Sequence, residues 1–357
     1  MSWVAALARA DIVALEPYRH AAWEPGLARL HANELPWRMP GDDSQEGLNR
    51  YPEPQPRALI DRLAELYESA PETLLVTRGS DEAIDLLVRA FCRAHQDAIL
   101  VCPPTFGLYA TAAGIQGAAV VSVPLEPGRG FGIDADALLA ACTSAVKLVF
   151  LCSPNNPTGN LLDSAAIVRV ARALAGRALV VVDQAYVEFA LSSAGGAAQA
   201  HLCRVPRPAN LAILRTLSKA HGLAGARLGA LIADPEVIAL LRKLIPPYAI
   251  TQQAIELASR LLGPFHLAEM RRRIGEILVE RERLRGALAR LPRAVEVLPS
   301  DANFFLVRFE DPTRALARSR AAGLLVRDLP GFAGLADALR VTVGTPEQNH
   351  RLLEAWQ

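Results

Sequence analysis

Seven short apolar runs punctuate the first two thirds of the chain, at 74–77, 98–102, 118–123, 148–152, 178–182, 211–214 and 228–233. They are continuous rather than alternating. A run that is apolar at every position buries both faces, as in a mainly parallel sheet covered by helices. Between the runs lie segments with helical spacing. In the one opened by Gly79-Ser80-Asp81-Glu82, the residues Ile84, Leu87, Val88 and Phe91 share one face. Ser80 can cap that helix, and Asp81 and Glu82 suit the positive end of its dipole. Further helices are predicted over 57–69, around 106–114, over 135–141 and near 164–175. Repeated strand–helix units of this kind predict an α/β fold.

From Pro235 the texture changes. Long helices are predicted over 236–244, 252–262 and 265–290. Short alternating strands follow at 295–298, 303–309, 324–326 and 339–343, then a terminal helix over 346–356. This mixture predicts a smaller α+β domain. Residues 1–50 read as irregular after a short helical stretch over 4–15. Prolines at 52, 54 and 56 exclude a helix or central strand there. Such a segment runs over a surface or a neighbouring subunit. The expected organisation is an N-terminal arm (1–47) packing with the small domain, a large domain (48–245) and a small C-terminal domain (246–357).

Composition narrows the function classes. The chain has 357 residues, 51% of them apolar, enough for a large core. With 38 basic and 37 acidic residues its net charge is +1, which leaves no strong field to recruit nucleic acid or an anionic membrane. The Arg-rich run 271–293 is interleaved with Glu269, Glu276, Glu280 and Glu282, the pattern of a solvated helix face. No apolar run approaches membrane-spanning length, and the N-terminus lacks the features of a secretion signal. Five dispersed cysteines without a C-x-x-C pair suggest neither a metal site nor a disulfide framework. A cytoplasmic protein is expected.

The special residues fall at predicted strand ends, where open α/β sheets bind ligands. Gly79-Ser80-Asp81 stands at a helix N-terminus, a ready anion site. Asn155-Asn156-Pro157-Thr158-Gly159 follows the fourth run. Asp183 ends the fifth, with Tyr186 three residues on. Thr216, Ser218 and Lys219 follow the sixth, with Arg227 eight residues after the lysine. Taken singly, these are a cap, a turn, a capping acid and a strand-end lysine reaching water. Taken together they supply what pyridoxal phosphate needs: a lysine for its aldehyde, an acid for its ring nitrogen and donors for its phosphate.

The chain resembles the fold type I pyridoxal-phosphate aminotransferases, and among them the histidinol-phosphate aminotransferases. The resemblance runs through NRYPEPQP (49–56), RGSDEAIDLLVRAFC (78–92), CPPTFGLY (102–109), CSPNNPTG (152–159), VVDQAYVEF (181–189), LRTLSKAHGLAGARLG (214–229) and DALRVTVGT (337–345). It implies a seven-stranded, mainly parallel sheet sandwiched by helices. It implies that Lys219 forms the Schiff base and moves the proton, that Asp183 pairs with the ring nitrogen, and that Asn156 and Tyr186 bond the ring oxygen. Phe106 would stack on the ring. Gly79, Ser80, Asp81, Thr216, Ser218 and Arg227 would cradle the phosphate. Tyr51 would reach the phosphate of a neighbouring subunit in a homodimer. Tyr18, Asn33, Asn303, Arg327 and Arg340 would select the substrate.

The implied reaction is a ping-pong transamination in histidine biosynthesis, between a small-molecule amino donor, histidinol phosphate, and a 2-oxo acid acceptor, 2-oxoglutarate. Alternatives on the same framework are an aromatic amino acid aminotransferase, a phosphothreonine decarboxylase and a non-catalytic cofactor-binding protein. Two departures stand out. Gln184 replaces the family's usual Glu after the aspartate, and is expected to point away from the ring. HANELPW alters the pattern around Asn33.

Overall fold

The computed structural model describes residues 2–22, 24, 26–204, 206–292, 294–332 and 334–357. Arg293, the last of the Arg-rich run, lies outside them. The seven apolar runs form one sheet: β1 (Leu74–Thr77), β2 (Ala98–Val101), β3 (Ala119–Ser122), β4 (Val146–Cys152), β5 (Leu179–Asp183), β6 (Leu211–Thr216) and β7 (Gly229–Ile232). Their order is β1-β7-β6-β5-β4-β2-β3. Only β7 runs against its neighbours, β1 and β6. The other pairs are parallel. Every residue of β1, β2, β5, β6 and β7 is buried, as their apolar runs require, and the polar residues at their carboxyl ends, Thr77, Asp183, Arg215 and Thr216, are buried with them. The edge strand β3 is mostly exposed.

Register decides where the chemistry goes. Cys152 pairs with Asp183, and Asp183 with Leu214, so β4, β5 and β6 end side by side. The segments that follow them are therefore neighbours in space. The strand β6 runs two residues beyond its expected end because Thr216 still pairs with Gly229 of β7. The helix Gly79–Phe91 buries Ile84, Leu87, Val88 and Phe91 completely. Its N-cap is Arg78, which makes no side-chain cap bond. Ser80 therefore does not cap, because the helix begins one residue before it.

The C-terminal region builds a second, antiparallel sheet from β8 (Ala294–Val297), β9 (Phe304–Phe309), β10 (Arg327–Asp328) and β11 (Ala338–Thr342), ordered β10-β11-β9-β8. It has its own core, in which Leu284, Phe305, Val307, Leu353 and Trp356 meet. The strand expected at 324–326 lies instead at Arg327–Asp328. Leu324 and Val326 are taken up by packing on this core, and only the next two residues reach β11. The helix Pro312–Ala321, capped by Asp311, was not foreseen.

The arm begins as two short helices, Trp3–Leu7 and Ala10–Val13, rather than one. Ala8 and Arg9 are extended between them, and the Arg9 amide donates to Ala90 O at 3.0 Å. Val4 and Leu7 join the core of the large sheet. The arm thus starts on the large-sheet side, not on the small domain; later, the Glu46 amide donates to Glu256 Oε1 at 3.2 Å. Among the described residues no helix is long and apolar enough to cross a membrane.

Candidate active site

A cavity of about 600 Å³ opens at the carboxyl ends of β4, β5 and β6. Lys219, Asp183, Tyr186, Asn156 and Phe106 line it. So do Ser80, Asp81, Thr216, Ser218 and Arg227. Arg327 and Arg340, which face each other across β10 and β11, contribute from the small sheet.

One group of these residues makes an anion cradle. Arg227 Nη2 meets Asp81 Oδ2 at 3.0 Å, and Arg227 Nη1 donates to Ser218 Oγ at 3.3 Å. The Thr216 hydroxyl donates to Ser218 Oγ at 3.0 Å. The first-turn N–H groups of the helix Gly79–Phe91 stand beside them, with the positive end of its dipole. Two glycines permit this approach. Gly79 has φ 76°, and a Cβ there would lie 2.8 Å from Arg227 Nη2. A Cβ on Gly229 would lie 2.6 Å from the Gly79 carbonyl carbon.

A second group carries ionisable chemistry. Burial lowers the Lys219 ammonium below the usual lysine range; Arg340 adds to this, and Asp81 and Asp183 oppose it. The Lys219 amine sits 5.5 Å from the centre of the Tyr186 ring, which packs edge-on against Phe304 at 5.1 Å. Asp183 is only 3% exposed. Its Oδ2 accepts from the Tyr109 hydroxyl at 2.8 Å and its Oδ1 from the Ala185 amide at 3.1 Å. Burial pushes its carboxyl up to about 6, against the Tyr109 bond that lowers it. Arg340 Nη1 donates to Asn156 Oδ1.

The turn after β4 is also gripped from the loop between β8 and β9. The Asp301 amide donates to Gly159 O at 2.8 Å, and Asp301 Oδ2 accepts from the Leu161 amide at 3.2 Å. A Cβ on Gly159, whose φ is 82°, would collide with Ser300 Oγ at 2.4 Å.

Gly79 packs against the cradle without lining the cavity, and four other expected residues lie away from it in this chain. Tyr18 is 74% exposed and lines a separate hollow with Gln55 and Lys243. Tyr51 stacks on Tyr248, ring centres 4.4 Å apart. Asn33 is exposed on the arm with φ 57°. Asn303 is held by its backbone carbonyl, which accepts from the Val343 amide at 2.9 Å. Sequence reasoning placed these four by motif alone, and a motif does not show which way an arm residue faces. It also missed Tyr109, Leu329 and Phe332. Tyr109 stands in the quoted CPPTFGLY stretch, but its partner is 74 residues away. Leu329 and Phe332 line the cavity from just beyond β10.

The profile of the family described as Aminotransferase class I and II matches residues 30–355. The chain is 48% identical over 356 residues to the histidinol-phosphate aminotransferase of Xanthomonas axonopodis pv. citri (strain 306), covering 98% of this chain and 96% of that one. It belongs to the histidinol-phosphate aminotransferase family. Two solved structures share the fold. One is a histidinol-phosphate aminotransferase from Sinorhizobium meliloti in complex with pyridoxal-5'-phosphate (TM-score 0.77, 24% identity, 87% of this chain and 82% of that one). The other is an L-threonine-O-3-phosphate decarboxylase from Porphyromonas gingivalis (TM-score 0.69, 28% identity, 86% and 92%).

Against this aminotransferase background Gln184 finds its explanation. It is fully buried and turned from the cavity. Its Nε2 donates to Gln199 O at 2.5 Å, and its Oε1 accepts from Arg215 Nη1 at 3.3 Å. Arg215 also pairs with Glu188 at 2.7 Å, both side chains largely buried. A neutral amide suits a place that needs one donor and one acceptor.

Proposed function

We propose that the cavity holds pyridoxal 5'-phosphate and that the chain transaminates L-histidinol phosphate with 2-oxoglutarate, giving imidazole-acetol phosphate and L-glutamate in histidine biosynthesis. The observation that carries this reading is the convergence of Lys219, Asp183 and the Arg227 cradle in one cavity. The full-length identity to a histidinol-phosphate aminotransferase supports the choice of substrate.

The residues present fit the cofactor. Gly79 and Gly229 let the first turn of the helix close up against Arg227 and β7, where a Cβ would clash, and Gly79, Ser80, Asp81, Thr216, Ser218 and Arg227 would hold the phosphate. Asp183, a buried carboxylate aimed into the cavity, would take the ring N–H. Asn156 has its Oδ1 committed to Arg340, so its amide N–H₂ would be the group that donates to the ring oxygen, with Tyr186 as second donor. Phe106 would cover the ring face. When bound, the cofactor supplies an electron sink for the negative charge that develops at the substrate Cα.

Lys219 is the proton carrier. Its amine, desolvated and depressed, would take the proton from the substrate Cα as a general base and, as a general acid, deliver it to the cofactor's C4′ carbon. Arg340 and Arg327 would bind the acceptor's carboxylate or the donor's phosphate, which a planar guanidinium matches in bidentate fashion.

The finer organisation is proposed with it. Residues 48–245 would serve as the cofactor domain and 246–357 as the small domain, with 1–47 as the arm. A homodimer would let the half-exposed Tyr51 reach the neighbouring cradle, and Tyr18 and Asn33 the neighbouring substrate; Asn303 would act at the base of its own small domain. Five buried free cysteines suit a reducing compartment, and the cytoplasm is the proposed setting.

The test is a donor comparison on the purified holoenzyme, following glutamate formation from 2-oxoglutarate. Histidinol phosphate should be the preferred donor. A large preference for phenylalanine or tyrosine would make the chain an aromatic aminotransferase. Carbon dioxide released from phosphothreonine would make it a decarboxylase.

A further inference from the structure

The Asp183 carboxylate is buried, and its environment was not part of the sequence reading. Behind it, on the helix Leu108–Gln116, stands Tyr109, which is fully buried. The Tyr109 ring stacks on Phe150 of β4, centres 4.8 Å apart and planes 8° from parallel. Phe106, the residue expected over the cofactor ring, meets the same Tyr109 ring edge-on at 5.6 Å. The phenol therefore has no freedom to swing. Its hydroxyl is directed at Asp183 Oδ2, 2.8 Å away.

We propose that Tyr109 is a positioning residue that holds Asp183 ionised and aimed at the cavity, so that the carboxylate is ready for a cationic ring N–H. This rests on the reading of the cavity as a pyridoxal phosphate site. The physical reason is simple. A desolvated carboxylate favours its protonated form, and a hydrogen bond donated to the charged form opposes that. A protonated Asp183 could not stabilise a cationic ring nitrogen. Tyr109 takes one lone pair of Oδ2 and the Ala185 amide one of Oδ1, which fixes the carboxylate plane.

The other groups facing Asp183 do not replace this bond. Cys152 of β4 carries a buried thiol that burial keeps protonated. Asp81, from the helix Gly79–Phe91, disfavours ionisation, while Lys219 favours it through its charge. Tyr186 is held neutral by burial. Among these neighbours Tyr109 is the side chain that hydrogen-bonds the carboxylate.

Tyr109→Phe removes the hydroxyl and keeps the stacked ring. In the cofactor-free full-length chain, the Asp183 carboxyl is followed by infrared spectroscopy and assigned by its loss in Asp183→Asn. In Tyr109→Phe it should titrate about one pH unit higher than in the parent, since a hydrogen bond to a charged group is worth that much. Affinity for added pyridoxal phosphate should fall about fivefold at pH 6 and about twofold at pH 7, and return to the parental value near pH 9, where Asp183 is ionised regardless. A merely structural role would weaken binding equally at every pH value. An unshifted Asp183 titration, or an affinity loss independent of pH, overturns the proposal. The carboxyl titration needs no cofactor, so it stands or falls separately from the assignment of the cavity.

Discussion

Arg340 reaches out of β11 in the small sheet to hydrogen-bond Asn156 on the turn after β4. A residue proposed to hold substrate thus already touches one proposed to hold the cofactor. The Arg340 guanidinium also lies over the Phe304 ring, 5.5 Å from its centre. Lysine offers a point charge without the planar fork. Arg340→Lys should lower kcat/KM for both substrates by about 10- to 100-fold, as expected for losing a charge-assisted hydrogen bond. Steady-state kinetics with each substrate checks this, and equal losses for donor and acceptor would show one arginine serving both.

Lys219→Ala should abolish transamination and the visible absorbance of the lysine-bound cofactor. The fold should persist, because the side chain points into a cavity rather than a packed core. Matching far-UV circular dichroism beside an unchanged visible spectrum would remove Lys219 from its assigned role.

Asp183 predicts a cost in stability with a definite sign. Its carboxyl is raised from an ordinary 3.8 to about 6 in the folded chain. Between about pH 4 and 6 the unfolded chain releases this proton before the folded chain does. Stability of the cofactor-free protein therefore falls as pH rises through that window, and the penalty is fully present above it. Asp183→Asn removes the charge and keeps an acceptor for Tyr109, but loses the one for the Ala185 amide. Its stability relative to the parent should therefore rise by about 2–3 kcal/mol between pH 4 and pH 7, while activity is destroyed. Denaturant titrations at pH 4 and pH 7 measure both ends of the window.

Gly229→Ala should damage fold and site together. Its Cβ would press on the backbone at Gly79 and Ser80, at 2.6 and 2.8 Å, and backbone cannot turn aside as a side chain can. Overpacking of this kind costs roughly 1–3 kcal/mol. A lowered melting temperature with weakened cofactor binding is the expected result; wild-type values for both would show that β7 can retreat.

If Tyr51 completes the neighbouring site, two inactive variants can repair each other. Mixed dimers of Lys219→Ala and Tyr51→Ala subunits contain one site with both defects and one with neither. Refolding the two together should restore up to about half of the parental activity per mixed dimer, and no recovery would place Tyr51 in its own subunit's business.

Much of this was legible in the chain because burial on two faces leaves a plain signature. The seven runs of the large sheet, and the helix face of Ile84, Leu87, Val88 and Phe91, follow from where apolar residues fall. The small domain was harder. Arg327–Asp328 is a strand only because β11 lies beside it, and no local pattern marks two exposed charged residues as a strand. The helix Pro312–Ala321 buries little besides Ala315 and Ser319, so it has no apolar stripe to read, although Asp311 before Pro312 was a usable start signal. Lys219 and Asp183 stood at strand ends in plain view. Tyr109 did not, since a hydroxyl's partner is set by how strands are ordered in space rather than by position along the chain.

The grip of Ser300 and Asp301 on the turn at Gly159 has a mechanical meaning. A body pinned near one point moves least at that point and most at its far reaches. Any swing of the small sheet that keeps this contact must release the Arg340–Asn156 bond, and the lever arm then decides which residues travel. The turn bearing Asn156 stays with the large sheet, while Arg327, on the opposite edge strand, sweeps the longer path. The contact would thus let one end of the cavity change its width while the other keeps its dimensions.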